Sequence, residues 1–340
     1  MMVIIGTKKM KKRIEIIAEV AQGYEGNEKL TNLLTKGAIA SNSDAIKFQL
    51  VYADELATPS YKYYQLFKDL EMDKSIWASV CTQVHDAEKK VYFDIFGLLS
   101  LEIAKEIGAD GVKLSTTEFY NNILFDKAII EFDILYLSVG GIPAKDIDKK
   151  LSVLSQEQID KICLMYGFQS EPTPIDQNNL NKLRLLKDRY TGFRIGFMDH
   201  SDGGTDDAFH LPLVALGVGV DVIEKHITLD RELEIEDYIS GLTPRMFVKF
   251  VTLIRKLEPA LGLASLELTE QEYEYRNKAT KSLVAIRDLK SGDVLTQDSI
   301  SLKRSDSLIT EGSILEIEQA IGKTLTVDVK INSPIVKGFL

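Results

Sequence analysis

The chain carries only four histidines, and two of them close short apolar runs near an acid: Asp199-His200 and Glu224-Lys225-His226. Neutral imidazole is a common metal ligand. If the two runs are neighbouring strands, about 4.8 Å apart, both rings can reach one divalent ion. Such an ion, with positions left for water and substrate, is a Lewis acid for a carbonyl oxygen. Oxygen ligands around it favour Mn²⁺ or Mg²⁺, whereas zinc recruits more nitrogen or sulfur. The competing reading makes each ring a satisfied strand-end donor. His85 and His210 fall in helical segments and are read as structural.

Lys47 and Lys113 each sit inside an apolar run. A buried lysine is costly unless it meets an anion. The pair suggests a cradle for phosphate or carboxylate. Ion pairs with Glu19 or Asp94, or a Schiff-base lysine, are the alternatives. Glu19 closes the first run, as a general acid or base or as a group that orients Lys47. Ser138-Val139-Gly140-Gly141 offers backbone N–H groups at a strand-to-helix turn, as a phosphate nest does. Gln49, Glu118, Gln169 and Asp237 complete the candidate contacts to substrate.

Eight apolar runs must position these groups: Ile14–Val20, Ala45–Leu50, Val91–Phe96, Gly111–Leu114, Ile134–Ser138, Lys161–Met165, Phe193–Phe197 and Asp221–Glu224. Helical patterns lie between and after them, clearest at Leu101–Ile107, Leu180–Tyr190, Ala208–Leu216 and Pro244–Leu261. The runs are continuous rather than alternating, as in parallel strands covered on both faces. Eight such units predict a (β/α)₈ TIM barrel, with its site at the C-terminal strand ends. Every predicted strand end carries a polar group there, and this regularity favours the barrel reading. An open doubly wound sheet would need a glycine-rich turn after an early strand. Ala21–Asn27 contains no GxGxxG. Extra length between the second and third runs marks an insertion.

The barrel is expected over residues 1–263. A charged linker follows over 264–281, then a small β-rich module over 282–340. Its strand-like pieces are Ser282–Ala285, Asp298–Leu302, Leu325–Val329 and Ile335–Val336. The 340 residues are 45% hydrophobic with net charge −10. That acidity argues against nucleic acid or an anionic membrane as partner. It leaves room for a small anionic substrate, because a few convergent lysines reverse the local field. No stretch approaches the ~18 apolar residues of a membrane span. Cys81 and Cys163 lack CxxC spacing and read as reduced core thiols of a cytoplasmic protein. The apolar start Met1–Gly6 precedes the basic run Lys8–Arg13 and is too short for a signal peptide. That run is read as a solvated leader.

The motifs resemble the sialic acid (N-acetylneuraminate) synthases and their relatives that make legionaminic and pseudaminic acids. Ile17-Ala18-Glu19-Val20 is similar to the family's first strand, and Ala45-Ile46-Lys47-Phe48-Gln49 to its VKFQ strand. Lys113 through Glu118 and Asn121 resembles K-x-x-S-G-E-x-x-N. Leu137–Gly140 resembles LSTG, Gly196–His200 resembles GYSDH, and Val222–His226 matches VIEKH. Ser282–Ala285, Ile286–Gly292 and Leu302-Lys303-Arg304 are similar to the antifreeze-like (SAF) domain. The resemblance implies condensation of phosphoenolpyruvate with the aldehyde of an N-acylated hexosamine. The product would be a nine-carbon 2-keto sugar acid, with release of phosphate. It further implies that His200 and His226 hold the metal and that Lys47, Lys113 and Ser138 hold phosphoenolpyruvate. Glu19 would manage a water or proton at the reacting carbon. Arg304 would reach the partner's site in a domain-swapped homodimer.

Five positions depart from the family pattern: Gly23-Tyr24 for Asn-His, Asp94 within the S-T-P-F segment, Met198 for Ser, and Glu171 in the segment after strand six. The departures resemble the branch labelled spore coat polysaccharide biosynthesis protein E. They keep two other readings in view: another metal-dependent barrel aldolase, or a non-catalytic homologue that binds sugar acids.

Overall fold

A computed structural model describes residues 13–305 and 309–340. Two compact units are present, the first ending at Leu263 and the second running from Ala264 to Leu340. The expected leader residues Lys8–Lys12 lie outside the described residues.

The first unit is a closed parallel barrel in sequential order: β1 (Glu15–Ala21), β2 (Ala45–Gln49), β3 (Lys90–Ile95), β4 (Gly111–Leu114), β5 (Leu135–Ser138), β6 (Ile162–Tyr166), β7 (Arg194–Asp199) and β8 (Val222–His226). All eight expected runs are strands, shifted by a residue or two. β1 closes on β8 with Glu19 opposite His226.

Side chains alternate along each strand, so residues two apart share a face. One face packs outward on the helices. Ile16, Ala18, Ile46, Phe48, Val91 and Phe93 belong to that core, together with Trp77 of the helix Lys74–Asp86. The other face fills the barrel interior with Ile17, Ala45, Tyr92, Tyr136, Cys163, Met165, Met198 and Val222. Two residues further along the chain stand Glu19, Lys47, Asp94, Ser138, His200 and Glu224, with His200 just past the end of β7. The apolar interior is thus the floor beneath a polar layer.

The insertion after β2 folds as the short helices Ala53–Leu56 and Tyr64–Asp69, followed by Lys74–Asp86. Asp73 caps the last of these, accepting from the Ser75 backbone N–H at 2.8 Å. Pro244–Leu257 is a helix with proline in its first turn and the Thr243 hydroxyl accepting at its N-terminus; Glu258–Leu261 continues as a 3₁₀ turn. Cys81 and Cys163 are buried and unpaired.

The second unit departs from the sequence reading in two places. Within the expected linker, Glu270–Ala279 is a helix, because Thr269 and Glu272 form a reciprocal capping box. Of the four expected strands, β9 (Ser282–Ala285) and β10 (Ile300–Lys303) pair antiparallel. The other two segments make isolated bridges only, such as Leu289 with Val329 and Ser313 with Val336. A core of its own, including Leu283, Leu295, Ile300, Ile314, Leu325 and Ile335, holds the unit together. Among the described residues no helix is long and apolar enough to cross a membrane.

Candidate active site

A cavity of about 470 Å³ opens at the C-terminal end of the barrel. That volume lies in the range of small-molecule sites. Its floor is a buried charge cluster contributed by five strands. Lys47 pairs with Glu19, with Asp94 Oδ2 at 2.5 Å and with Glu224 Oε2 at 3.8 Å. Lys113 pairs with Glu224 Oε1 at 2.7 Å and lies 3.7 Å from Asp94 Oδ2. None of these side chains is more than 4% exposed. The ion-pair alternative for the lysines is therefore realised, and Glu224 joins the two acids expected from sequence.

Three carboxylates share two ammonium groups, and the imbalance has a proton consequence. Burial would lower Lys47, but Asp94, Glu19 and Glu224 outweigh it and hold the ammonium charged well above its usual range. Burial would raise Glu224, yet Lys113 and Lys47 keep it below the usual carboxylate range. Glu19 is left as the odd acid. Burial, reinforced by the Glu224 and Asp94 charges, overrides Lys47 and pushes it up to about 7. Its Oε1 has no hydrogen-bond partner within the protein.

His200 and His226 stand side by side at the cavity wall, with ring centroids 5.0 Å apart. Burial lowers the affinity of both rings for a proton, that of His226 strongly, so each is a neutral imidazole. Nδ1 of each ring is buried without a partner. Two neutral rings with unused nitrogens fit a shared divalent ion as two of its ligands. Among the described residues no group of three or more His, Cys, Asp or Glu side chains could hold an ion unaided. The remaining positions would fall to water or substrate. The loop after β7 is fixed from behind. Lys225, on the opposite face of β8, pairs with Asp199 at 3.0 Å and donates to the Ser201 carbonyl at 2.8 Å. The His200 carbonyl accepts from Thr173 N–H and from the Ser240 hydroxyl.

Gln49, Gln169 and Asp237 line the cavity. Gln49 accepts from Gln22 Nε2 at 2.8 Å, and Asp237 Oδ2 accepts from the Gln22 N–H at 3.1 Å. Burial and then the charge and hydrogen bond of Glu171 raise Asp237 well above its usual range. Ser138 and Glu118 are buried but do not line the cavity. The Ser138 hydroxyl is engaged with Thr116 Oγ1 at 2.9 Å, and Glu118 accepts from Asn121 Nδ2 at 2.9 Å. Gly140 has a packing reason of its own: a Cβ there would sit 2.2 Å from the Gly167 carbonyl oxygen. Arg304 belongs to the second unit, where it is exposed and donates to the Lys278 carbonyl at 3.3 Å. His85 bonds to Asp110 on a helix surface, away from the cavity lining.

Sequence reasoning missed the wall formed by the insertion: Leu56, Ala57, Thr58, Tyr61 and Phe67. The surplus length between the second and third strands was the available signal. It also missed Gln22, Ser115 and Thr117 as lining residues, and it named Glu224 at a strand end without giving it a role. Period-two alternation was enough to separate Glu224 and His226 from Lys225.

Fold and site define a (β/α)₈-barrel protein with a charged, histidine-bearing mouth and a separate small C-terminal module. The model of the NeuB family matches residues 34–265 and that of the SAF domain residues 280–340, so the chain belongs to the NeuB family. It is 27% identical over 338 residues to the N,N'-diacetyllegionaminic acid synthase of Campylobacter jejuni, covering 94% of this chain and 98% of that one. Its structure is similar to the sialic acid synthetase of Leptospira borgpetersenii solved with citrate, with TM-score 0.72 at 27% identity, over 81% of this chain and 96% of that one. It also shares the fold of the Bacillus subtilis spore coat polysaccharide biosynthesis protein, with TM-score 0.63 at 22% identity, over 96% and 95% of the two chains. The characterised relatives are sugar-acid synthases.

Proposed function

We propose that this chain condenses phosphoenolpyruvate with the open-chain aldehyde of an N-acylated hexosamine and water, yielding a nine-carbon 2-keto sugar acid and phosphate. The observation that carries the reading is the buried Lys47–Lys113–Glu19 cluster beside two neutral histidines in one cavity. In the reaction, C3 of the enol bonds to the aldehyde carbon, whose oxygen takes a proton. A water oxygen adds to C2, and the bond from C2 to the phosphate oxygen breaks. Lys47 and Lys113 supply the positive charge that orients the anionic donor. Glu19, poised near neutrality, takes the proton from the water, which is work suited to a base matched to the working pH. His200 and His226 would hold Mn²⁺ or Mg²⁺, which when bound polarises the aldehyde oxygen. Asp237, whose proton affinity is raised by burial and by Glu171, would donate a hydrogen bond at the sugar end, where Gln49 and Gln169 add polar contacts. Arg304 would complete the site of a second subunit in a swapped dimer.

The test is incubation with phosphoenolpyruvate, Mn²⁺ or Mg²⁺ and a panel of C2- and C4-acylated hexosamines, following phosphate and product mass together. One phosphate per nine-carbon keto acid is expected. A product that forms equally well from pyruvate, without phosphate release, would move the chain to the aldolases.

A further inference from the structure

The helix Leu98–Glu106, which follows β3, starts without a cap of its own. Gly97 stands at its N-cap position and has no side chain to accept from the first turn. The N–H groups left over are those of Leu99 and Ser100, the pair that an N-cap side chain would take. Both go to Glu55, a half-buried residue of the short helix Ala53–Leu56 in the insertion. Its Oε1 accepts from Leu99 N–H at 2.6 Å and its Oε2 from Ser100 N–H at 3.1 Å. The fit is reciprocal: a Cβ on Gly97 would sit 2.2 Å from Glu55 Oε1, so glycine at the cap makes room for the carboxylate. Charge-assisted hydrogen bonds and the helix dipole act together in such a joint.

The joint ties two parts of the cavity wall. Phe96, just before Gly97, lines the cavity, as do Leu56, Ala57, Thr58, Tyr61 and Phe67 of the insertion. Little else holds the insertion down. No residue from Asp54 to Asp69 is buried. Asp54, Tyr64, Gln65 and Lys68 make their side-chain bonds within the insertion and the turn after it. Leu56 and Phe67 meet the core only as partly buried residues. Among the described residues, Glu55 is the one side chain of this segment that hydrogen-bonds to another element of the barrel. A segment with so few buried contacts opens at low cost.

We infer that Glu55 is a positioning residue: by capping the helix after β3 from outside, it fixes the insertion as one wall of the cavity. The residues that this wall presents carry no charge and are largely apolar. The wall therefore suits the acyl and ring C–H groups of the sugar rather than the anionic donor, a consequence that rests on the function proposed above. Loosening it removes contacts shared by ground and transition states, which raises KM and spares kcat.

The test compares E55A and E55Q with the parent as full chains, with Trp77 fluorescence reporting that each is folded. Glutamine keeps an acceptor oxygen and loses the charge. Limited trypsin digestion without substrates is followed at Lys62, an exposed residue of the insertion. Cleavage there is expected to be about tenfold faster in E55A and intermediate in E55Q. The acceptor KM of E55A should rise about tenfold, with kcat kept within about threefold and calorimetric affinities for phosphoenolpyruvate and Mn²⁺ within about twofold. Folded E55A that is cut at the parent's rate overturns the inference, whatever its activity. Faster cutting with an unchanged acceptor KM overturns the assignment of the wall to the sugar. A parent that turns over no acceptor refutes the proposed function instead, and the digestion still decides for or against Glu55.

Discussion

Replacing Lys47 with methionine removes the central cation of the cluster while keeping an unbranched side chain of similar reach. Lys47 is fully buried and pairs with Glu19, Asp94 and Glu224. Without it, Lys113 alone faces three buried carboxyl groups, holding Glu224 at 2.7 Å and standing 3.7 Å from Asp94. Breaking a buried pair from one side costs about 3–5 kcal/mol. With a urea slope of about 2–3 kcal/mol per molar, the midpoint should fall by about 1–2 M. The loss must depend on pH in a definite sense. With the lysine gone, buried carboxyl groups such as Glu19, already pushed up to about 7, lose a neighbour that held them down. They therefore favour the fold at low pH and cease to do so as pH rises through those raised values. The deficit of K47M is thus small near pH 5 and full at pH 8. The assay is urea unfolding followed by Trp77, the single tryptophan, which is buried against Tyr24, Phe48 and Phe93. A K47M midpoint equal to the parent's at pH 8, or a deficit that grows toward acid, would refute a desolvated cluster. Adding D94N to K47M should recover part of the loss, because one of the stranded charges is gone.

Three further outcomes follow from the site. Glu19 is pushed up to about 7, so a Glu19 base is protonated below that value and kcat/KM should fall along an acid limb near pH 7; E19Q should lose about 10²–10⁴-fold in rate and the limb with it. H200A and H226A should each weaken Mn²⁺ binding, read by direct metal titration, by about 100-fold or more, and unchanged metal affinity would reduce the pair to structural donors. E19Q and R304A, inactive as separate proteins, should regain turnover after being unfolded and refolded together if Arg304 serves a partner's site, and no recovery would count against the swapped dimer.

The barrel was legible because its strands are short, apolar and continuous, and because polar residues interrupt the runs near their ends or soon follow them. Lys47 and Lys113 stood out since nothing but an anion excuses a lysine in such a run, and the structure supplies carboxylates for both. The insertion wall was not legible in detail. Its helices Ala53–Leu56 and Tyr64–Asp69 are too short for a period of 3.6 to repeat. Ala264–Lys281 hid its helix for a different reason. Glu270–Ala279 has no buried residue and hence no apolar stripe, and only the capping pair Thr269 and Glu272 announces it. In the second unit, single bridges replace two expected strands, since isolated apolar pairs such as Leu325 and Val329 can be buried without ladder pairing.

The five departures from the family pattern do not act at one depth. Tyr24 is fully buried, edge-on to Trp77, with its hydroxyl donating to the Gln49 carbonyl. Met198 fills the apolar floor with Met165 and Val222. Neither lines the cavity, and a Cβ on Gly23 would press on the Val20 and Glu236 carbonyl oxygens, so all three positions answer to packing. Asp94 and Glu171 do line it, and both act through charge. Asp94 adds an anion beside Lys47 and Lys113. Burial and then the Glu171 charge raise Asp237 above the usual carboxylate range, which favours a hydrogen-bond donor at the rim. The histidine pair, Lys113 and Glu19 line the same cavity as these two residues. Both altered residues therefore border the proposed reacting centre, and their effect should appear as a choice of donor and acceptor before it appears as a loss of turnover.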